Sequence, residues 1–160
     1  GVGYYNTWAN LKMSAPQSRC AFTRHLKKGE TINIPLAHGE GRFLMPDSLL
    51  KEIISNEQDV YRYCDEDGKV VNEFPINPNG SMHNLAAICN PRGNIMAMMP
   101  HPERTTNGGG DSVFRAMHSF IKKEKAFSYK ALQHSAKKIV VSPFEKKPLT
   151  KEVLINGSMA

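Results

Sequence analysis

Two apolar runs joined by a short turn constrain the fold of this chain most strongly. Residues 85–89 (LAAIC) and 94–99 (NIMAMM) flank the turn sequence NPRG at 90–93, a pattern that predicts a β-hairpin. Neither run alternates apolar with polar side chains, as a strand with one wet face does. We therefore expect both strands to be covered on both faces, which favours an α/β architecture with helices flanking a layered sheet.

Further elements follow from periodicity and turn residues. Alternating or β-branched segments predict strands at 6–13, 31–36 and 60–64, with a hairpin turn at Asp65–Gly68 leading into 69–71. Apolar residues at helical spacing predict helices at 47–55 and from 112 to about 123, capped by Asp47 and Asp111. Beyond residue 126 the pattern loosens, with a helix continuing over 131–138 and a short strand at 139–142 as the expected elements.

The size of the chain, its apolar runs and its cysteines narrow the class of protein. With 160 residues, 40% of them hydrophobic, it is long enough to bury one core. No apolar run reaches the ~18 residues of a membrane helix, and residues 1–8 do not have the pattern of a signal peptide. Three widely spaced cysteines argue against a disulfide framework or a thiolate zinc site and predict a reducing cytoplasm.

The net charge of +6 is unevenly distributed. Residues 1–121 carry equal numbers of basic and acidic side chains, whereas residues 122–160 carry 9 Lys and 3 Glu. The surplus therefore lies in the C-terminal tail from residue 122, most of it in a Lys-rich extension, residues 126–160, and not on a basic face of the fold. We expect domain 1–125 to be followed by this extension, and nucleic acid is not the expected partner.

Polar residues in two loops are the candidates for chemistry. They follow predicted strands, where the working residues of α/β sheets gather. One loop holds the residue pair that a catalytic base requires, and the other is a glycine-rich loop that follows residues 31–36. The first pair is His101 and Glu103, and the glycine-rich loop contains His38, Gly39, Glu40, Gly41 and Arg42.

His101 and Glu103 have the spacing of a catalytic base and its orienting acid. Pro102 lies between them and favours an extended triplet, in which side chains two residues apart lie on the same side. The Glu103 carboxylate would then accept the Nδ1 proton and leave Nε2 free as a base. A loop salt bridge is the alternative interpretation of the same pair.

A nucleophile to match this pair is missing from the sequence. No G-x-C-x-G or G-x-S-x-G elbow occurs. Cys89 ends an apolar run and is interpreted as a packing residue, and the acids after Cys64 would raise the pKa of its thiol. The histidines have no metal-binding spacing, which leaves a metal hydrolase as a weak alternative.

Three motifs in order resemble one family. IPLAHGEGRF at 34–43, NPNGS at 77–81 with AAICN at 86–90, and GNIMAMMPHPER at 93–104 are similar to the glutaminase component of phosphoribosylformylglycinamidine synthase. That component is a class I, triad-type glutamine amidotransferase of purine biosynthesis. The resemblance runs from about residue 6 to 121 and corresponds to the C-terminal half of a flavodoxin-like domain. Asn6 departs from it, since the family has a cysteine there.

The resemblance implies roles and partners. His101 matches the general base and Glu103 the acid of the triad, while residues 38–43 match a loop near the glutaminase site and its synthetase contact. The implied partners are the Cys-bearing N-terminal half, a synthetase subunit and a small accessory subunit. The chain itself would hold no metal and no cofactor, since ATP and Mg belong to the synthetase. Without the cysteine we expect these residues alone to be inactive, and a non-catalytic interaction module with a basic tail is the alternative.

Overall fold

Five antiparallel strands form one sheet in the part of the chain that the computed structural model describes, residues 3–105 and 109–135. The strand order is β2-β1-β3-β4-β5. The strands are β1 (Tyr5–Met13), β2 (Thr31–His38), β3 (Asp59–Cys64), β4 (Leu85–Cys89) and β5 (Met96–Met98). The helices are α1 (Asp47–Ser55) and α2 (Gly110–Ser135), with 3₁₀ turns at Met82–Asn84 and Pro102–Arg104.

The core lies against the central strands of this sheet. Alternate residues of β1 and β2, such as Leu11 and Ile34, are fully buried, as the period-two pattern predicts. All of Leu85, Ala86 and Ala87 in β4 are 0% exposed. The expectation that β4 is covered on both faces is therefore confirmed.

The hairpin of β4 and β5 is confirmed, but the covering of β5 is not. Residues 96–98 pair with β4 in antiparallel register and remain half-buried or exposed. β5 lies at one edge of the strand order, so it has a partner strand on one side only. Its apolar sequence therefore reflects packing of the two methionine side chains against the core cluster and not burial on both faces.

Two further local predictions were wrong. Residues 69–71 form no strand, because Asp65 Oδ1 accepts from the backbone N–H groups of Asp67 and Lys69 and holds a tight turn that ends the pairing. Pro46, not Asp47, occupies the N-cap of α1, and Asp47 is the first helical residue. Proline fixes φ in a range that suits the start of a helix.

The two edges of the sheet are brought together after β5. The backbone N–H of His101 donates to the Pro35 carbonyl of β2 at 2.7 Å, although β2 and β5 lie at opposite ends of the strand order. The sheet therefore curls, and the segment after β5 covers part of the outer edge of β2. Pro35 lies in an edge strand, where a proline is tolerated.

The chain divides into two units, Gly1–Lys125 and Ala126–Ala160, and the sites discussed below lie in the first. α2 begins at Gly110, two residues before its predicted start, and buries Val113 and Ala116. The predicted strand at 139–142 and the Lys-rich extension from residue 136 lie outside the described residues. Within the described part, no helix combines the length and apolar character needed to cross a bilayer.

The buried position of Leu11 yields a stability prediction. Leu11→Ala should lower the free energy of unfolding by about 2–5 kcal/mol, since it removes apolar contacts and leaves a cavity. Urea unfolding followed by circular dichroism measures the loss. Leu49→Ala on α1 is the matched control, because Leu49 is 43% exposed. An equal effect of the two substitutions would contradict the placement of the core.

Candidate functional site

The His101 ring and the Glu103 carboxylate form a direct hydrogen bond. His101 Nδ1 lies 2.7 Å from Glu103 Oε1, the arrangement expected for a base and its orienting acid. The backbone conformation that brings the two side chains together differs from the prediction, because residues 102–104 form a 3₁₀ turn and the triplet is not extended. Pro102 is compatible with that turn since its fixed φ also suits the first position of a helix.

Glu103 remains ionised over a wide pH range. Its own backbone N–H, followed by the His101 ring, lowers the pKa of the carboxyl below its ordinary value. An ionised Glu103 accepts the Nδ1 proton, which leaves Nε2 as the unprotonated nitrogen of the neutral ring. Both side chains are accessible, at 29% for His101 and 56% for Glu103.

The second ring nitrogen of His101 faces a backbone acceptor. Nε2 lies 3.4 Å from the Ala37 carbonyl oxygen near the end of β2. In the neutral ring Nε2 has no proton to donate there, whereas the imidazolium has one. The Ala37 carbonyl is therefore an acceptor for Nε2 only when that nitrogen carries a proton.

The glycine-rich loop forms a pocket beside this ring. His38 follows Ala37 directly, and a pocket of about 400 Å³ is lined by His38, Gly39, Glu40, Arg42 and Asn79. Both ring nitrogens of His38 are buried without a hydrogen-bond partner among the described residues. A buried polar group without a partner is costly, and because these nitrogens are buried they are closed to a ligand in this conformation.

Asn79 and Ser81 fix the shape of this loop. Asn79 Nδ2 donates to the Gly41 carbonyl at 2.9 Å and lies 3.2 Å from the Tyr63 hydroxyl. The Phe43 N–H donates to Ser81 Oγ at 3.0 Å. The sequence analysis treated 77–81 only as part of the family motifs and missed these contacts to the glycine-rich loop. Its position in the sequence was the available signal, because the family motif at 77–81 lies between the two candidate loops.

The three cysteines are buried and none is paired with an imidazole. Burial, and then the charge of Asp65, raises the pKa of Cys64 to about 11, which confirms that it is a poor thiolate. The Cys20 and Cys89 thiols form a hydrogen bond that lowers the pKa of Cys89 to about 7 and raises that of Cys20. Cys89 is 4% exposed within the core cluster, as expected for a packing residue. The site therefore has a candidate base and no candidate nucleophile among the described residues.

The described residues form no cluster of metal ligands. Within residues 3–105 and 109–135, no group of three or more His, Cys, Asp or Glu side chains is placed to hold a metal ion. The metal-hydrolase alternative therefore has no geometric support in this part of the chain.

Comparisons with known proteins agree with the family resemblance of the sequence motifs. Residues 3–132 match the family model of the CobB/CobQ-like glutamine amidotransferase domain. The chain is 37% identical over 139 residues to phosphoribosylformylglycinamidine synthase subunit PurQ of Methanothrix thermoacetophila, covering 78% of this chain and 53% of that protein. It is 46% identical over 99 residues to the PurQ subunit of Aquifex aeolicus, covering 62% and 42%.

A solved structure has the same fold. The structure of PurLQS from Thermotoga maritima contains a chain with a TM-score of 0.56 and 30% identity, covering 74% of this chain and 49% of that one. The chain thus spans about half the length of the relatives it matches. With its curled antiparallel sheet and flanking helices it has the α/β fold of class I glutamine amidotransferases, and it belongs to the CobB/CobQ-like glutamine amidotransferase domain family as a PurQ-like member.

Proposed function

We propose that this chain supplies the general base and the orienting acid of the glutaminase of phosphoribosylformylglycinamidine synthase. The observation that carries the proposal is the 2.7 Å hydrogen bond between His101 Nδ1 and Glu103 Oε1, with the ring at the Ala37 carbonyl, one residue before the loop that lines the pocket. Family membership supports it, because glutamine amidotransferases of the triad type require this pair.

The reaction divides between this chain and a thiol outside these 160 residues. His101 Nε2 accepts the thiol proton, and the thiolate attacks the side-chain amide carbon of glutamine. The resulting imidazolium, hydrogen-bonded to Glu103, gives the proton to the amide nitrogen, which leaves as ammonia when the C–N bond breaks and the thioester remains. His101 then takes a proton from the water that attacks the thioester, and returns it to the sulfur as the C–S bond breaks and glutamate is released.

The loop of His38 to Arg42 serves as the substrate or interface loop of this site. Arg42 is the cation lining its pocket, and a guanidinium forms paired hydrogen bonds with a carboxylate. We assign Arg42 to bind a carboxylate, either that of glutamine or that of an acidic residue on the synthetase.

The product ammonia implies partners. We propose that a synthetase subunit uses it, with ATP and Mg, to amidate formylglycinamide ribonucleotide, and that a small accessory subunit joins the complex. Structural similarity to a chain of PurLQS supports such an assembly. The predicted cytoplasmic location is part of this proposal, and the three free thiols agree with it.

An assay of glutamine hydrolysis tests whether this chain supplies the base and the acid while the thiol comes from outside it. The 160-residue chain alone should release no glutamate above a His101→Ala control. Adding the cysteine-bearing N-terminal part of a PurQ relative should produce activity, which His101→Ala lowers by about 10⁴-fold and Glu103→Gln by less, since the base remains. Glutamate release is measured by a coupled dehydrogenase assay.

His118→Ala is the matched control, because His118 is an exposed residue of α2. It should leave the complemented activity unchanged. Glutamate release by the chain alone would contradict the proposal that the thiol lies outside these 160 residues. A complex that forms without any activity would favour the non-catalytic interaction module.

The pKa of Glu103 reports its contact with His101. His101→Ala should raise the Glu103 pKa toward its ordinary value, and only in part, because the backbone N–H of Glu103 contributes most to the lowering. Carbon-detected NMR titration of the side-chain carboxyl measures the change. An unchanged Glu103 pKa would show that the hydrogen bond does not form in solution, and His118→Ala again serves as the control.

Loss of the Asn79 clamp should impair the complemented enzyme. Asn79→Ala removes the hydrogen bonds to Gly41 and Tyr63, so the loop loses its fixed shape, and kcat/KM should fall by about tenfold or more. Steady-state glutaminase kinetics measure it. Asn33→Ala breaks an exposed Asn–Asn hydrogen bond between β1 and β2 and should have little effect. A similar loss in both variants would contradict a specific function of the clamp.

A further inference from the structure

A second pocket lies at the opposite end of the sheet from His101. The register pairs Tyr5 with His38 at one end of β1 and Lys12 with Thr31 at the other. The strand between Tyr5 and Lys12 spans about 20 Å. The pocket at the Lys12 end has a volume of about 490 Å³, within the range of small-molecule sites. It is separate from the site described above.

Three cations line this pocket in an arrangement that costs stability. Lys12 and Arg62 are direct register partners on neighbouring strands, and like charges at such positions repel each other. Lys28 also lines the pocket. The ion pairs of the described residues are His101–Glu103 and Asp111–Arg115, so no acid within that part of the chain neutralises these three cations by direct contact.

The acid that lines the pocket offers limited compensation. Asp59 is 9% exposed and makes no ion pair with Arg62 among the described residues. Burial raises the pKa of its carboxyl, which weakens its ability to offset the cations. Even with Asp59 ionised, the cations leave a surplus of positive charge.

The Arg62 guanidinium is held in position by its neighbours. Its Nε donates to the His83 carbonyl at 2.9 Å, and His83 lies in the left-handed region with a φ of 54°. The adjacent Asn84 has a φ of 56° and donates to the Val71 carbonyl at 2.6 Å. This anchored turn fixes the Nε–H of Arg62, and Nη2 lies 3.5 Å from His83 Nδ1, which leaves Nη1 as the guanidinium nitrogen for a ligand. Strained backbone of this kind persists where the surroundings enforce it.

We propose that this pocket binds a small organic phosphate, a phosphate monoester attached to a compact organic group. A dianionic phosphate matches the surplus of positive charge, and guanidinium and ammonium groups form strong charge-assisted hydrogen bonds with it. The remaining walls include Met13, Ile54 and Val70, which provide apolar contact for the organic part. Neither the family match nor the glutaminase proposal assigns this pocket.

Calorimetric titration of the full chain with AMP and with inorganic phosphate tests the proposal. At matched ionic strength in chloride, AMP should bind to one saturable site and more tightly than phosphate, because the apolar walls contact its organic part. Lys12→Gln and Lys28→Gln should each weaken binding by about tenfold. Lys27→Gln is the matched control, since Lys27 is exposed and adjacent to Lys28 but does not line the pocket.

Several results would overturn the site. These are the absence of saturable binding, equal weakening by Lys27→Gln, or tighter binding of a hexaglutamate peptide, which would identify an acidic protein segment as the occupant. Equal affinity for AMP and phosphate would contradict the proposal that the apolar walls bind the organic group of a phosphate monoester. The unliganded chain adds an independent readout, because Lys12→Gln should raise its melting temperature by relieving repulsion from Arg62. A lowered melting temperature for Lys12→Gln, with Lys27→Gln unchanged, would contradict uncompensated charge in the pocket.

Discussion

The hydrogen bond from the His101 N–H to the Pro35 carbonyl is the constraint on which the candidate site depends. It joins the segment after β5 to β2, although these lie at opposite ends of the strand order. The same junction places the imidazole at the Ala37 carbonyl and beside the loop that begins at His38. The curled sheet therefore brings together two loops that are separated by 58 residues in the sequence.

Both ends of the imidazole have an acceptor in this arrangement. A carboxylate contacts Nδ1 and a backbone carbonyl contacts Nε2. These two contacts hold the ring in one orientation. The loop pocket adds the Arg42 cation. Under the proposed function, the chain provides the proton acceptor and a cation, and the nucleophile comes from another part of the enzyme.

Sequence patterns predicted the strands and helices that are determined by their own local residues. The strands of 6–13, 60–64 and 85–89 and the helix of 47–55 agree closely with the structure, because alternation, apolar runs and helical spacing reflect burial directly. The shortened β5 and the absent strand at 69–71 depend on which segments pair, and local patterns do not encode that. The His101–Glu103 contact was predicted by way of an extended backbone, while the actual 3₁₀ turn gives the same proximity. The Asn79 clamp joins residues 38 apart in the chain, and its function requires the tertiary structure.

Gly41, which has no side chain, lies where the glycine-rich loop passes close to the segment that leads to His101. A Cβ at this position would overlap the Met99 side chain, and Met99 lies two residues before His101. Met99 is itself anchored, since its N–H donates to the Ala86 carbonyl at 3.0 Å. The glycine therefore lets the loop backbone pass close to the end of the Met99 side chain. Because a thioether chain has several rotatable bonds, a methyl group at position 41 would displace the terminal atoms of Met99 and leave the backbone of both loops in place, so the contact between the two loops is adjustable at this point.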